Sequence, residues 1–297
     1  MIPASDRLGR FPAPARLCLA AVVAALVAAA APVHAATPAD ALEPGGEGVV
    51  ALVVDGDTLA LADGTVVRLV GLQAPKLALG RAGLSDWPLA EEARAALAEL
   101  ALGQRVTLRY GGRRSDRHGR ALAHLVRADG VWIQDRMLAR GMARVYSFAD
   151  NRALVADMLA SEAGARAALR GIWAHPFYRP RAADRLDGAI GSFQLVEGTV
   201  EAAALVRGRL YLNFGADWRE DFTVTVAPRL RPDFERAFAA LGLDSLEALA
   251  GRRVRVRGWI DRYNGPEIEA THPEQIELLA DGRQTSRAAA RGRGPSS

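Results

Sequence analysis

Between Val49 and Val70 three runs of aliphatic and β-branched residues are separated by two Asp-Gly pairs, and no other feature constrains the fold as tightly. Val49 to Val54 runs into Asp55-Gly56, Thr58 to Leu61 follows, and Asp63-Gly64 precedes Val66 to Val70. Asp-Gly between β-rich runs signals a tight reversal, because both residues tolerate the backbone conformations that turn a chain within two residues. The stretch therefore reads as a three-stranded meander. Pro88 to Leu102 reads as a helix, with proline at its start, Gly103 just past its end, and Leu89, Ala93, Leu97 and Leu100 on one stripe. Strands at Val106–Tyr110 and Ala121–Val126 flank a polar turn, and helices are expected at Val131–Arg140 and Asn151–Arg170. Three strands, a helix, two strands and appended helices predict a mainly β, α+β fold built on a five-stranded OB-type barrel.

Further along, 179–193 reads as a linker and 194–280 turns β-rich again. Runs at Leu195–Val206, Arg209–Phe214, Phe222–Val226, Val254–Ile260 and Ile268–Ala270, with a helix at Asp233–Ala250 after the third, predict a second, smaller OB-like barrel. Residues 281–297, rich in Arg, Gly and Ser, read as a disordered tail. At the other end, Arg7, Arg10 and Arg16 precede the apolar run Leu17–Ala31, and Val33-His34-Ala35 offers small residues for cleavage. The reading is a signal peptide at 1–35, a connector at 36–46 and a first domain at 47–178. The apolar run is shorter than the roughly 20 residues a membrane-spanning helix needs. The expectation is an exported, periplasmic or extracellular chain without stable membrane insertion after cleavage. Cys18 is the only cysteine and falls in the leader, so the mature chain has no disulfides and no thiolate chemistry.

The formal charge of +4 is mild, but its distribution is not. Arg105, Arg109, Arg113, Arg114, Arg117 and Arg120 form one basic stripe, and Arg252, Arg253, Arg255 and Arg257 another. Each fits either a surface that follows a phosphate backbone or an ordinary solvated face. In the second region Tyr211, Phe214, Trp218, Phe222, Trp259 and Tyr263 fit either a stacking surface for bases or the alternating core of a small barrel. His118, His124, His175 and His272 have no metal-ligand spacing.

Three motifs stand out in order: Val54-Asp55-Gly56-Asp57-Thr58, Arg68-Leu69-Val70-Gly71-Leu72-Gln73-Ala74-Pro75, and Ser115-Asp116-Arg117-His118-Gly119-Arg120. Gly171-Ile172-Trp173 follows a long helix. Together, over about 130 residues, this set resembles the staphylococcal thermonuclease family. The resemblance implies cleavage of phosphodiesters in DNA or RNA at the mouth of a barrel. It implies a calcium ion held by carboxylates against the phosphate, a glutamate that assists the attacking water, and two arginines that clamp phosphoryl oxygens. Asp57 then matches a metal-ligand aspartate, and Arg68 and Arg120 match the clamp.

The second motif departs from that pattern. Where the family has Asp-Thr-Pro-Glu, this chain has Gln73-Ala74-Pro75-Lys76, so one metal ligand becomes an amide and the general base becomes an ammonium. A charged ammonium neither ligates a cation nor accepts a proton. Lys76 is also the only lysine among the 38 basic residues. The expectation is a phosphate-binding pocket of Arg68, Lys76 and Arg120, with Gln73 donating a hydrogen bond and calcium at Asp57 weak or absent. Such a chain would bind nucleic acid or another phosphodiester polymer, with nuclease activity weak or lost. Two alternatives stay open: an active hydrolase using Asp86, Glu91 or Glu92 as substitute carboxylates, and a non-enzymatic envelope interaction module.

Overall fold

The chain order of the first half is β1 (Glu43–Asp55), β2 (Thr58–Leu61), β3 (Val66–Leu69), β4 (Leu72–Gln73), α1 (Ala90–Ala101), β5 (Arg105–Tyr110), β6 (Ala121–Arg127), α2 (Ile133–Ala139), β7 (Arg144–Val145) and α3 (Val155–Ala167). The computed structural model describes residues 36–280, so the expected leader and tail lie outside the described residues. Among the described residues no helix is long and apolar enough to cross a membrane.

Five of these strands close a barrel in the order β1-β2-β3-β6-β5. β1 serves both ends of that order. Its first half pairs with β5, from Glu43↔Tyr110 to Val49↔Arg105, and its second half pairs with β2 down to Asp55↔Thr58. Register shifts along β1 bend it from one neighbour to the other, as bulges do. Closure comes from the parallel pairing of β3 with β6, Val67↔Ala121 to Leu69↔Ala123. Alternate residues point inward, and Val50, Leu59, Val67, Leu69, Val106, Ala123 and Leu125 are fully or almost fully buried against the Ala93–Leu97 stripe of α1. α1 and α3 begin later than the sequence reading because Leu89 and Leu154, just before them, adopt left-handed backbone that cannot continue a helix.

The stretch expected as a connector is largely structured. Pro38–Ala41 forms a 3-10 turn, and β1 already starts at Glu43. Its acidic residues meet the basic stripe: Asp40 sits 3.3 Å from Arg109, Glu47 3.0 Å from Arg105, and Glu43 pairs with Arg114.

The second half runs β8 (Arg181–Ala182), β9 (Phe193–Thr199), β10 (Ala202–Val206), β11 (Arg209–Asn213), β12 (Thr223–Val226), α4 (Arg231–Ala239), β13 (Arg253–Trp259), β14 (Asp261–Tyr263), β15 (Gly265–Glu269) and β16 (Ile276–Leu278). They make two sheets, β10-β11-β12-β15-β14 and β16-β13-β9-β8, so the second barrel expected here is an open one, unlike the closed first. β12 and β15 pair in parallel and β9 pairs antiparallel with β13, which repeats the pairings of the first barrel around a core of Val196, Leu210, Leu212, Val224, Phe234 and Ile268. The single strand expected over Leu195–Val206 breaks at the buried Val200, where the chain passes from one sheet to the other. The expected helix over Asp233–Ala250 is shorter than the sequence suggests. Gly242 turns left-handed, and Leu243 N–H bonds back to Phe238 C=O, a reversal that ends a helix.

Candidate functional site

The turn between β1 and β2 fixes the first functional side chain. Gly56 packs so closely on Ala74 and α1 that a Cβ there would lie 2.6 Å from Ala74 Cβ and 2.8 Å from Ala93 Cβ. That contact brings the Asp57 carboxylate, fully buried, to the Ala74 N–H, which donates to Oδ2 at 2.8 Å. Two cations then face it. Lys76 Nζ lies 2.6 Å from both carboxylate oxygens, and Arg68 Nη1 lies 3.2 Å from Oδ1. Burial alone would raise the Asp57 pKa, but the positive charges of Arg68 and Lys76 outweigh it and hold it below the ordinary value. Asp55 behaves oppositely. It accepts the Asp57 N–H and lies 3.6 Å from Lys76, yet burial and then the Asp57 charge raise its pKa.

Arg68, on β3 opposite Thr58, is held by backbone carbonyls: Nη1 donates to Asp57 and Leu69, and Nη2 to Leu72 at 2.8 Å. The guanidinium is thus fixed where β3 leaves the barrel. Arg120 is held differently. Asp116 accepts the N–H groups of His118 and Arg120 within the 115–120 turn and takes Arg120 Nε and Nη2 at 2.7 Å each. Burial would raise the Asp116 pKa, and its bonds to Arg120 and His118 prevail and lower it. The Arg120 side chain remains one-third exposed.

Arg68, Lys76, Arg120 and Gln73 all line one cleft of about 880 Å³ at the barrel mouth. Arg81, Arg113 and Arg117 join them, so six basic side chains face three acidic ones, Asp55, Asp116 and Asp150. The first basic stripe is therefore divided. Arg113, Arg117 and Arg120 face the cleft, whereas Arg105, Arg109 and Arg114 pair with the N-terminal segment.

Gln73 is engaged elsewhere than expected. Its Oε1 accepts two bonds from the buried Arg144, at 3.0 and 2.7 Å, and Arg144 Nη2 also donates to Phe193 C=O on β9. Burial lowers the Arg144 pKa to about 10. Asp86, Glu91 and Glu92 are absent from the described residues that line the cleft. Asp86 instead accepts the Ala78 N–H at 2.6 Å, and Glu91 pairs with Arg94 at 2.7 Å. His118, also in the lining, bonds to Arg117 at 3.1 Å.

Two cleft residues escaped the sequence reading. Tyr146 and Phe148 line it just beyond β7, with ring centroids 4.7 Å apart edge to face. Their signal is the i, i+2 spacing, which puts both rings on one side of an extended segment.

The second arginine stripe, which fits either a phosphate track or a solvated face by sequence, instead builds a seam of ion pairs at Arg253, Arg255 and Arg257. Arg257 and Glu162, both buried, are joined at 3.0 Å, and Arg257 also pairs with Glu277. Arg255 joins Glu197 and Glu277, and Arg253 joins Glu197. Of the aromatic set, Phe222 is core and Phe214 packs on it at 4.9 Å. Tyr211, Trp218 and Tyr263 line a separate cleft of about 490 Å³, and Trp259 stands at the seam, bonded to Tyr146.

Comparison with curated proteins finds no match. The model of the family described as staphylococcal nuclease homologue matches residues 66–175, from β3 to the turn after α3. The matched segment carries Arg68, Gln73, Lys76, Arg120, Tyr146 and Phe148, and β1 and β2 complete its barrel from outside the match. The chain thus contains a staphylococcal nuclease homologue domain, which supports a nuclease-like, nucleic-acid-binding function.

Proposed function

We propose that this is an exported protein that binds nucleic acid or another phosphodiester polymer in the barrel-mouth cleft, with calcium-dependent cleavage weak or lost. The observation that carries the reading is the seat of Lys76, whose ammonium is 2.6 Å from both oxygens of the Asp57 carboxylate. Calcium takes six to eight oxygen ligands, most of them anionic or carbonyl. Here the Asp57 carboxylate is already paired with two cations, the neighbouring Asp55 has its pKa raised by burial and by the Asp57 charge, and Gln73 Oε1 is held by Arg144. These residues do not fit a calcium site. Asp55 and Asp57 together balance Lys76 and Arg68, and the remaining arginines of the lining outnumber Asp116 and Asp150, so the cleft as a whole stays attractive to a phosphate. Arg120, one-third exposed, offers the planar fork that suits two phosphate oxygens. Attack on phosphorus needs a group that takes a proton from water, and an ammonium cannot do so. Export rests on the leader-like residues 1–35.

The test is equilibrium binding of a labelled oligothymidylate to the purified chain, in chelator and in millimolar calcium, beside a cleavage assay. Salt-sensitive binding that is indifferent to calcium, that falls about tenfold in Lys76→Ala and Arg120→Ala, and that brings no cleavage is the expected result. Calcium-dependent cleavage abolished by Arg68→Ala and Arg120→Ala would overturn it.

A second reading, an active hydrolase with a substitute base, is favoured by Asp55, a carboxyl in the cleft whose pKa is raised. Cleavage in chelator that disappears in Asp55→Asn would select it.

A further inference from the structure

Trp259 ends β13, opposite Phe193 of β9, and therefore belongs to the second barrel. Its side chain does not fill that barrel's core. It is 47% exposed, whereas Val254, Val256, Arg257 and Gly258 before it on β13 are buried. Its indole Nε1–H donates to the Tyr146 hydroxyl at 2.8 Å, and Tyr146 lines the barrel-mouth cleft. Tyr146 in turn meets Phe148, also in the lining and 50% exposed, at 4.7 Å. A row of rings thus crosses the seam, from the cleft of the first barrel onto the second.

An exposed indole held in one orientation by its N–H bond is a preformed flat surface, and little side-chain freedom is lost when something stacks on it. Every nucleobase presents a π face, but only an unpaired base can turn that face to a protein ring. We propose that Trp259 is a base-stacking subsite, contributed by the second barrel to a single strand whose phosphate lies among Arg68, Lys76 and Arg120. The inference rests on the phosphodiester-binding reading above and adds to it the part played by the second barrel. One ring of the second barrel then extends the cleft, and the gain from it depends on strand length.

Fluorescence-anisotropy titrations of the whole chain with oligothymidylates of two to eight nucleotides, in chelator, test it. Affinity should rise with length until the strand reaches the indole, and Trp259→Ala should remove about tenfold from the longer oligomers while leaving the shortest unchanged. Trp259→Phe, which keeps a ring and loses the bond to Tyr146, should retain most of the gain. Trp218→Ala, in the separate cleft, should behave like the wild type. Equal binding of every length by wild type and Trp259→Ala would overturn the subsite and leave the phosphate reading standing. A length gain lost in Trp218→Ala instead would assign it to the other cleft. Absence of binding by the wild type at any length would overturn both.

Discussion

The two halves of the molecule share a strand plan and put their arginines to opposite uses. In the first barrel, β3 runs parallel to β6, and in the second, β12 runs parallel to β15. β1 pairs antiparallel with β5, and β9 with β13, in each case the strand that follows the helix. The first barrel closes, and half of its basic stripe faces an open cleft. The second splits into two sheets, and its stripe turns inward to meet Glu162, Glu197 and Glu277. Two stretches of similar composition therefore differ in what they do, because the carboxylates that meet Arg255 and Arg257 enclose them, whereas those beside Arg113 and Arg120 leave that side of the first stripe facing the cleft. A run of arginines says that positive charge is present; the carboxylates across from it decide whether that charge reaches solvent.

The largest test of this contrast is Arg257→Ala. Removing it leaves Glu162, with no exposed side-chain surface, without its main counterion, and breaking such a buried pair costs about 3–5 kcal/mol. Arg253→Ala, at a half-exposed pair, should cost no more than about 1 kcal/mol. Urea unfolding of both variants measures the difference, and equal costs would break the contrast.

A pH effect comes next. His124 in the first barrel and His272 at the edge of the second are each lowered to about 4, chiefly by burial. Both are neutral in the fold, whereas in the unfolded chain they gain protons below their ordinary 6.5. The unfolded state then binds more protons, so their contribution to stability is whole above that pH and is lost as pH falls toward the folded-state value. The unfolding midpoint should drop by several degrees between about pH 6.5 and 4.5. His124→Phe and His272→Gln should each flatten part of the drop. A flattening confined to one variant would show that one half governs acid stability.

Smaller again is the response of Lys76→Glu to calcium. Replacing the ammonium with a carboxylate restores an acidic set around Asp57, and millimolar calcium should then raise the melting temperature by a few degrees, with no such rise in the wild type. The smallest effect expected is that of Arg117→Ala, an exposed cation of the cleft. It should reduce the salt dependence of oligonucleotide binding by about one charge and leave stability within about 0.5 kcal/mol.

Much of this architecture was legible in the sequence, for local reasons. The Asp-Gly reversals and the apolar stripe of α1 depend on residues within a few positions of one another, and they gave the closed barrel correctly. Asp57, Arg68, Lys76 and Arg120 were legible as one set through their motifs, and all but the buried Asp57 line the same cleft. The engagement of Gln73 by Arg144 was not, because the partners are 71 positions apart and meet only when β4 pairs with β7. The Arg257 seam failed to show for the same reason, its partner Glu162 being 95 positions away. The connector at 36–46 read as featureless because its order comes from β5 and from Arg105, Arg109 and Arg114, not from its own pattern.

Val145 occupies a singular position in that seam. Its N–H donates to Glu162 Oε2 at 2.6 Å and its C=O accepts from Arg257 Nη1 at 3.1 Å, so one residue's backbone is gripped by a helix of the first half and a strand of the second. A hydrogen held in this way exchanges with deuterated solvent only when the grip opens. The Val145 amide, bonded to Glu162 of its own half, is therefore a clock for opening between β7 and α3, and a faster rate in Arg257→Ala would report how far the strand of the second half steadies that grip.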